Sequence, residues 1–295
     1  MLLGELSALL TAFCWSGSSL SFSDASRRIG SLQLNINRMI FAAVFLSVTI
    51  FAAGFNYKIS YSQAGYLAVS GFVGLVIGDT FLFKAYQHIG ARLSMLLMAL
   101  VPAMSSLMAY FFLDEILSAL GIIGIVVTIT GVSVVVLEKK ESTETSKKTD
   151  ATGILYGLIG ALGQASGLIF AKFAFEEGHI NGFVATFVRI SSAVIFMLIV
   201  GIAAGRYNNP YRVFKNDIKA LRSTILGTIL GPYLGITFSL IAISYAKVGI
   251  ASTIMSTVPI IMLPLVRIIY KERLSMRAIW GAVVAVGGVA ILFLR

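Results

Sequence analysis

Asp79 is the residue whose type and place most suggest chemistry. It stands in Gly78-Asp79-Thr80, and of the thirteen acids it alone lies well inside a long apolar run, ~10 Å from its end at 1.5 Å per residue. Charge at such a depth in a bilayer is costly, so an ionisable group there is a functional candidate by default. A carboxylate in that setting can couple transport to an ion by binding and releasing a proton, or pair with a cationic solute. It can equally be a fixed partner for a basic group, Arg38 or Lys84. Arg38 and Arg189 are the cations to weigh with it. Each lies a turn or two from the start of its own apolar run. From there a long side chain snorkels cheaply to the interface, which favours a shared structural role. Turned inward, either would hold a solute carboxylate. Lys84 and Arg267 stand at run ends and read as interfacial.

Uncharged groups complete the candidate set. Trp15, Tyr86, Tyr156, Gln164 and Tyr245 offer aromatic faces and hydrogen bonds without charge. Cavities for organic solutes are built that way, mostly apolar with a few placed polar groups. Met98, with Met95 and Met255, would supply an adaptable wall. The plainer reading of each of these residues is helix packing and lipid contact.

Other chemistries find little support. Cys14 is the single cysteine, and His88 and His179 are the two histidines, so neither a disulfide framework nor a Cys- or His-built metal site is expected. An intramembrane aspartyl protease needs two aspartates at depth. No G-x-S-x-G or H-E-x-x-H occurs. The chain therefore reads as no enzyme, with no metal and no cofactor.

The elements that position these residues follow from composition. The 295 residues are 58% hydrophobic and 12% charged, with mean hydropathy +0.92. Soluble domains are about 45–50% apolar and about 25% charged, so an integral membrane protein is indicated. Ten stretches reach the ~20 apolar residues a spanning helix needs. They are 3–22, 33–53, 64–86, 93–113, 117–137, 152–175, 182–204, 223–246, 250–270 and 276–294. The first lacks a basic start and is longer than a signal-peptide core, so it reads as a retained helix.

Residues 138–151 form a charged linker between two halves, 1–137 and 152–295. Its EKKESTETSKKTD segment has eight charges in thirteen residues. Between Arg206 and Arg222, Tyr211, Phe214, Ile218 and Leu221 fall on one helical face, beside Arg212, Lys215, Lys219 and Arg222. This pattern predicts a basic amphipathic helix on the membrane surface.

The two halves repeat. Pro102–Leu137 set against Pro259–Leu294 gives eleven identities in thirty-six positions without a gap. They include Glu115-x-Leu117-Ser118 with Glu272-x-Leu274-Ser275, Gly124 with Gly281, and Gly131 with Gly288. Ser118 and Ser275 are placed to cap the helices that follow. Farther upstream, Arg38 matches Arg189, and Trp15-Ser16-Gly17 faces Ala165-Ser166-Gly167. Five spans is an odd number, so the copies must enter the membrane from opposite sides. Inverted repeats of this kind mark secondary transporters, whose site lies at the repeat interface. Pro102 and Pro259 predict kinks in the fourth and ninth helices and a hinge near the cavity. Gly71, Gly74 and Gly78, then Gly227, Gly231 and Gly235, predict close helix approach.

The twice-repeated pattern Pro-x12-Glu-x-Leu-Ser-x5-Gly-x6-Gly resembles the EamA repeat of the drug/metabolite transporter superfamily, over nearly the whole chain. The resemblance implies an all-α integral membrane fold of ten transmembrane helices, two inverted five-helix repeats around a central cavity lined by helices 1, 3, 4, 6, 8 and 9. It implies helices 5 and 10 at the periphery. Family members export amino acids, metabolites or drugs, and relatives exchange sugar phosphates or nucleotide sugars. Each half also resembles a four-helix multidrug exporter whose first-helix glutamate carries protons. Here Glu5 stands at the edge of helix 1 and helix 6 has no acid.

The expected function is a secondary transporter that exports small amphipathic metabolites by alternating access, with proton coupling through Asp79 and facilitated diffusion both open. An exchanger of phosphorylated or nucleotide-linked sugars, or a channel or scaffold, is the alternative. The partners are a small-molecule solute and the lipid bilayer, with no nucleic acid, and the oligomeric state stays open, a monomer included. The net charge of +10 is a topology signal. Fifteen basic residues lie in loops or at stretch ends on one side and four on the other, which places both termini outside the plasma (inner) membrane. The resemblance implies cytoplasmic termini.

Overall fold

The computed structural model describes residues 2–112, 118–136, 150–178, 180–203, 205–245, 254–271 and 274–293, except the side chains of residues 2, 240, 243–245 and 293. These residues form helices, and no strand occurs among them. Most of the 138–151 linker, Glu115, Glu272 and His179 lie outside the described residues.

Helix α1 (Leu2–Ile29) extends past the predicted end at residue 22, and its hydroxyls bond to the backbone within the helix. Ser7 donates to the Leu3 carbonyl at 2.8 Å, Thr11 to Ser7 at 2.9 Å and Ser16 to Ala12 at 2.7 Å. Satisfied in this way, they can be buried in an apolar medium. Gly30, at φ 82°, turns the chain into α2 (Ser31–Ala53). A capping box of Ser60 and Gln63 opens α3 (Tyr61–Ser70). A π-helical segment, Gly71–Gly78, then leads into α4 (Asp79–Met98).

The helical run from Tyr61 to Met98 is broken at Gly90, whose φ of 78° suits a residue without Cβ, so the third and fourth predicted stretches stay separate and the break falls in the gap between them. Helix α5 (Val101–Phe112) follows a turn at Ala99–Leu100. Helices α6 (Ala119–Val136), α7 (Ala151–Glu176) and α8 (Gly182–Ala203) match their predicted stretches closely. The expected Ser118 cap is present, its hydroxyl accepting from the Gly121 amide at 3.1 Å.

The amphipathic segment departs from expectation. Helix α9 (Pro210–Asn216) stops at Asp217, which leaves helical geometry and caps α10 (Ile218–Thr228) by accepting from the Ala220 amide at 2.9 Å. A carboxylate capping a helix outcompetes continuation of the amphipathic period. A second π-helical segment, Ile229–Gly235, contains Pro232 and leads into α11 (Ile236–Tyr245). Helices α12 (Val258–Ile269) and α13 (Met276–Phe293) complete the order. Ser275 caps α13 through the Ala278 amide at 3.0 Å.

The two π segments occupy matched places in the repeats, Gly74 facing Gly231 and Gly78 facing Gly235 at a common offset of 157. Pro102 and Pro259 also match, although neither kinks a helix from within. Each follows a turn, at 99–100 and at 256–257, and stands in the first turn of α5 or α12, where its missing N–H costs nothing. The helix breaks ahead of the proline.

Glycines set the interhelix distances. A Cβ added at Gly78 would stand 3.1 Å from the Gln164 amide nitrogen, and one at Gly167 would stand 2.8 Å from Gly74 Cα. The first π segment thus lies backbone against backbone on α7. In the matched place of the other repeat, Gly227, Gly231 and Gly235 take Phe22, Ser18 and Trp15 of α1. Helices α6 and α13 pair antiparallel, Gly124 meeting Gly288 and Gly131 meeting Gly281. Five helical stretches are long and apolar enough to cross a membrane among the described residues, α2, Tyr61–Met98, α6, α7 and α8. Shorter apolar helices include α5 and α12.

Candidate functional site

Three elements bring the intramembrane charges together. On α2, Asn35 and Arg38 stand three residues apart and so share a face. Asp79 begins α4 at the end of the first π segment, and Gln164 projects from α7 of the other repeat. An Arg38 Nη2 donates to Asp79 Oδ2, and Gln164 Nε2 donates to Asp79 Oδ1. Arg38 Nε donates to Asn35 Oδ1 at 2.9 Å. Asn35 Nδ2 in turn donates to the Leu75 carbonyl, inside the π segment, and to Thr80 Oγ1, each at 2.9 Å. The guanidinium also lies over Phe83 at 4.6 Å and Phe22 at 5.2 Å.

This geometry corrects one expectation. Arg38 does not snorkel: it is 6% exposed, as is Asp79. A buried carboxylate in hydrogen-bond reach offers more than a distant interface, because two charges desolvated together need one another. Of the two cations considered for Asp79, Arg38 is the one paired. Lys84 instead lies over the rings of Phe81 at 4.7 Å and Tyr156 at 5.3 Å.

Arg189 of α8 approaches the same cluster. Its carbonyl oxygen lies against Gly71, where an added Cβ would stand 2.4 Å away, and its Nη2 would stand 3.5 Å from a Cβ at Gly74. Arg189 is near enough to Asp79 for their charges to attract. Among the described residues its buried Nε has no hydrogen-bond partner. The cluster thus brings two basic side chains, Arg38 and Arg189, to one carboxyl, Asp79.

The aromatic candidates divide into two groups. Trp15 and Met98 pack against a buried cluster that contains Tyr86, Phe22 and Phe83, and the last two carry the Arg38 guanidinium. Tyr86 is 2% exposed and its hydroxyl donates to Met95 sulfur at 3.2 Å. Tyr156 stands elsewhere, with Phe81 and His88. Met255 packs with Ala8 and Ala242. Tyr245 ends α11, and its side chain lies outside the described residues. Sequence reasoning did not single out Asn35, Thr80, Phe22 or Phe83. The three-residue spacing of Asn35 and Arg38 on one helix was the available signal. Among the described residues no group of three His, Cys, Asp or Glu side chains is placed to hold a metal ion.

Outside the membrane-spanning segments, Asp150 caps α7 through the Thr152 amide at 2.9 Å and binds His88 Nδ1. The His88 hydrogen bond, then the Thr152 amide, hold its carboxyl below the usual range. A carboxyl depressed in the folded state contributes stability above its unfolded value, and that stability is lost as pH falls through the folded value. Asp150→Asn keeps a good cap residue but removes the titration. The acid-side slope of the thermal midpoint against pH should therefore flatten in this variant. An unchanged slope would show that other carboxylates set it.

No curated protein matches the chain. A crystal structure described as "Crystal structure of protein" is similar to it at TM-score 0.66 and 17% identity, covering 98% of this chain and 95% of that one. That likeness speaks to the fold alone. The profile of the EamA-like transporter family matches residues 2–137 and 151–294, both halves of the repeat found in the sequence. The chain belongs to the EamA-like transporter family, and is a multi-pass membrane transporter of the drug/metabolite superfamily.

Proposed function

We propose that the chain is a secondary transporter that exports small amphipathic metabolites, such as amino acids or drug-like molecules, through alternating access of two inverted five-helix repeats in ten spans. The observation that carries this reading is the Arg38–Asp79–Gln164 network. It joins α2 and α4 of the first repeat to α7 of the second, so any rocking between repeats must remake it. The antiparallel pairing of α6 and α13, the fifth and tenth predicted spans, supports inversion of the repeats. Trp15, Tyr86 and Met98 supply an apolar wall beside the network, and Gln164 reaches it from the other repeat. Tyr156 and Tyr245 extend the proposed lining, with Arg189 as the group that receives a solute carboxylate. The turns ahead of Pro102 and Pro259 are the proposed hinges, and Asp79 is the proposed ion-coupling group.

The test is uptake by liposomes holding the full chain, with and without a pH gradient, over a panel of amino acids and other metabolites. The reading expects at least one solute to cross faster than in empty liposomes, and faster again with the gradient. If none does, the exporter reading fails. Sustained single-channel currents would point to a channel instead.

A further inference from the structure

The predicted amphipathic face is broken as a helix yet intact as a surface. Tyr211 and Phe214 of α9 and Ile218 of α10 still line one groove, of about 470 Å³, whose far wall is Ile40 and Phe41 of α2. Phe41 and Phe214 face each other with ring centroids 6.1 Å apart. The walls are otherwise apolar, and the polar groups along the groove are Asn37 and Lys215.

These two polar groups are both short of partners. Lys215 Nζ stands over the Tyr211 ring at 5.8 Å, and among the described residues it forms no ion pair. The nearby carboxylate, Asp217, is engaged by Arg28 at 3.3 Å and by the Ala220 amide. Asn37 is 2% exposed. Its Oδ1 accepts from the Tyr207 hydroxyl at 3.0 Å, while its buried Nδ2 has no partner among the described residues. A buried N–H group without an acceptor is an unfilled demand.

We propose that this groove is a binding site for an anionic phospholipid of the surrounding leaflet. One acyl chain lies between α2 and α9–α10, and the phosphate meets Lys215. Charge complementarity selects this occupant. The groove combines an acyl-sized apolar trough with an unpaired ammonium at its edge. The flanking Arg212 and Lys219 add positive charge, which attracts anionic lipid generally. The site is independent of the transport reading.

The test is native mass spectrometry of the full chain, delipidated and titrated with phosphatidylglycerol or with phosphatidylcholine of the same acyl chains. Phosphatidylglycerol should be retained in preference. Lys215→Ala, at an exposed position, should lower that retention about five-fold, whereas Arg212→Ala, outside the groove, should lower it much less. Ile40→Trp fills the trough and should reduce retention of both lipids. Equal retention of the two lipids by the unaltered chain would overturn the proposal. So would equal losses in Lys215→Ala and Arg212→Ala, which would mean diffuse surface attraction. Thermal midpoints confirm that each variant is folded.

Discussion

Replacing Asp79 by Asn should lower transport by at least about ten-fold, with a marked loss of thermal stability. The carboxylate faces Arg38 and Gln164 at 6% exposure, so the variant leaves a guanidinium buried without its counter-charge. Removing one partner of a buried ion pair costs about 3–5 kcal/mol. Loss of transport alone would not separate coupling from architecture, because a damaged fold also stops transport. The double variant Arg38→Met with Asp79→Leu makes the separation. Apolar replacements of similar volume for both members of a buried pair are often neutral or stabilising. The double variant should therefore recover part of the thermal midpoint, short of the full value because Gln164, Asn35 and Arg189 lose their partners, while transport and its pH dependence stay lost. If it instead transports at the original rate with the original pH dependence, the pair is a scaffold and Asp79 couples nothing. Measuring midpoint and initial uptake on the same preparations decides between these outcomes.

The cost of a buried charge also explains what could be read from the sequence. Asp79 stood out because acids are scarce in this chain and spanning segments exclude them. Its partner was harder to assign. Sequence separation gives no distance between helices, and a long basic side chain near a helix end has two outlets, the interface or a buried carboxylate. The structure resolves the choice for Arg38 by stacking its guanidinium on Phe22 and Phe83, which come from different helices. No local pattern announces such a pocket. The helices themselves were legible because hydropathy reports length directly. Where local chemistry overrides hydropathy the boundaries moved. A turn at 99–100 split the fourth predicted stretch, and Asp217 capped a new helix inside the amphipathic segment. The π segments left no hydropathy mark. Their place beside Asp79 and beside Trp15 reflects the need to seat a helix closely against its neighbour while opening carbonyls to side chains such as Asn35.

Gly288→Ala should destabilise the protein by about 1–3 kcal/mol, while Gly287→Ala, one residue earlier on the same helix, should change stability by less than about 0.5 kcal/mol. The contrast comes from what each new methyl would meet. At Gly288 it would stand 2.3 Å from the Thr128 amide nitrogen and 2.8 Å from the Gly124 carbonyl oxygen. Those are backbone atoms of a neighbouring helix, so relief requires α6 and α13 to separate along their whole contact. At Gly287 nothing lies within 4 Å. Gly131 is the counterpart of Gly288 in the sequence repeat, and it is equally blocked, with Ala285 nitrogen at 2.3 Å. Gly131→Ala should thus resemble Gly288→Ala in its cost. The two variants combined should cost less than the sum of each, because helices already parted by one methyl have room for the second. Thermal unfolding in detergent of the four variants checks this. Equal midpoints for Gly287→Ala and Gly288→Ala would mean that α6 and α13 are not held backbone to backbone. Glycines that match in the two repeats would then owe their places to something other than meeting each other across the pair.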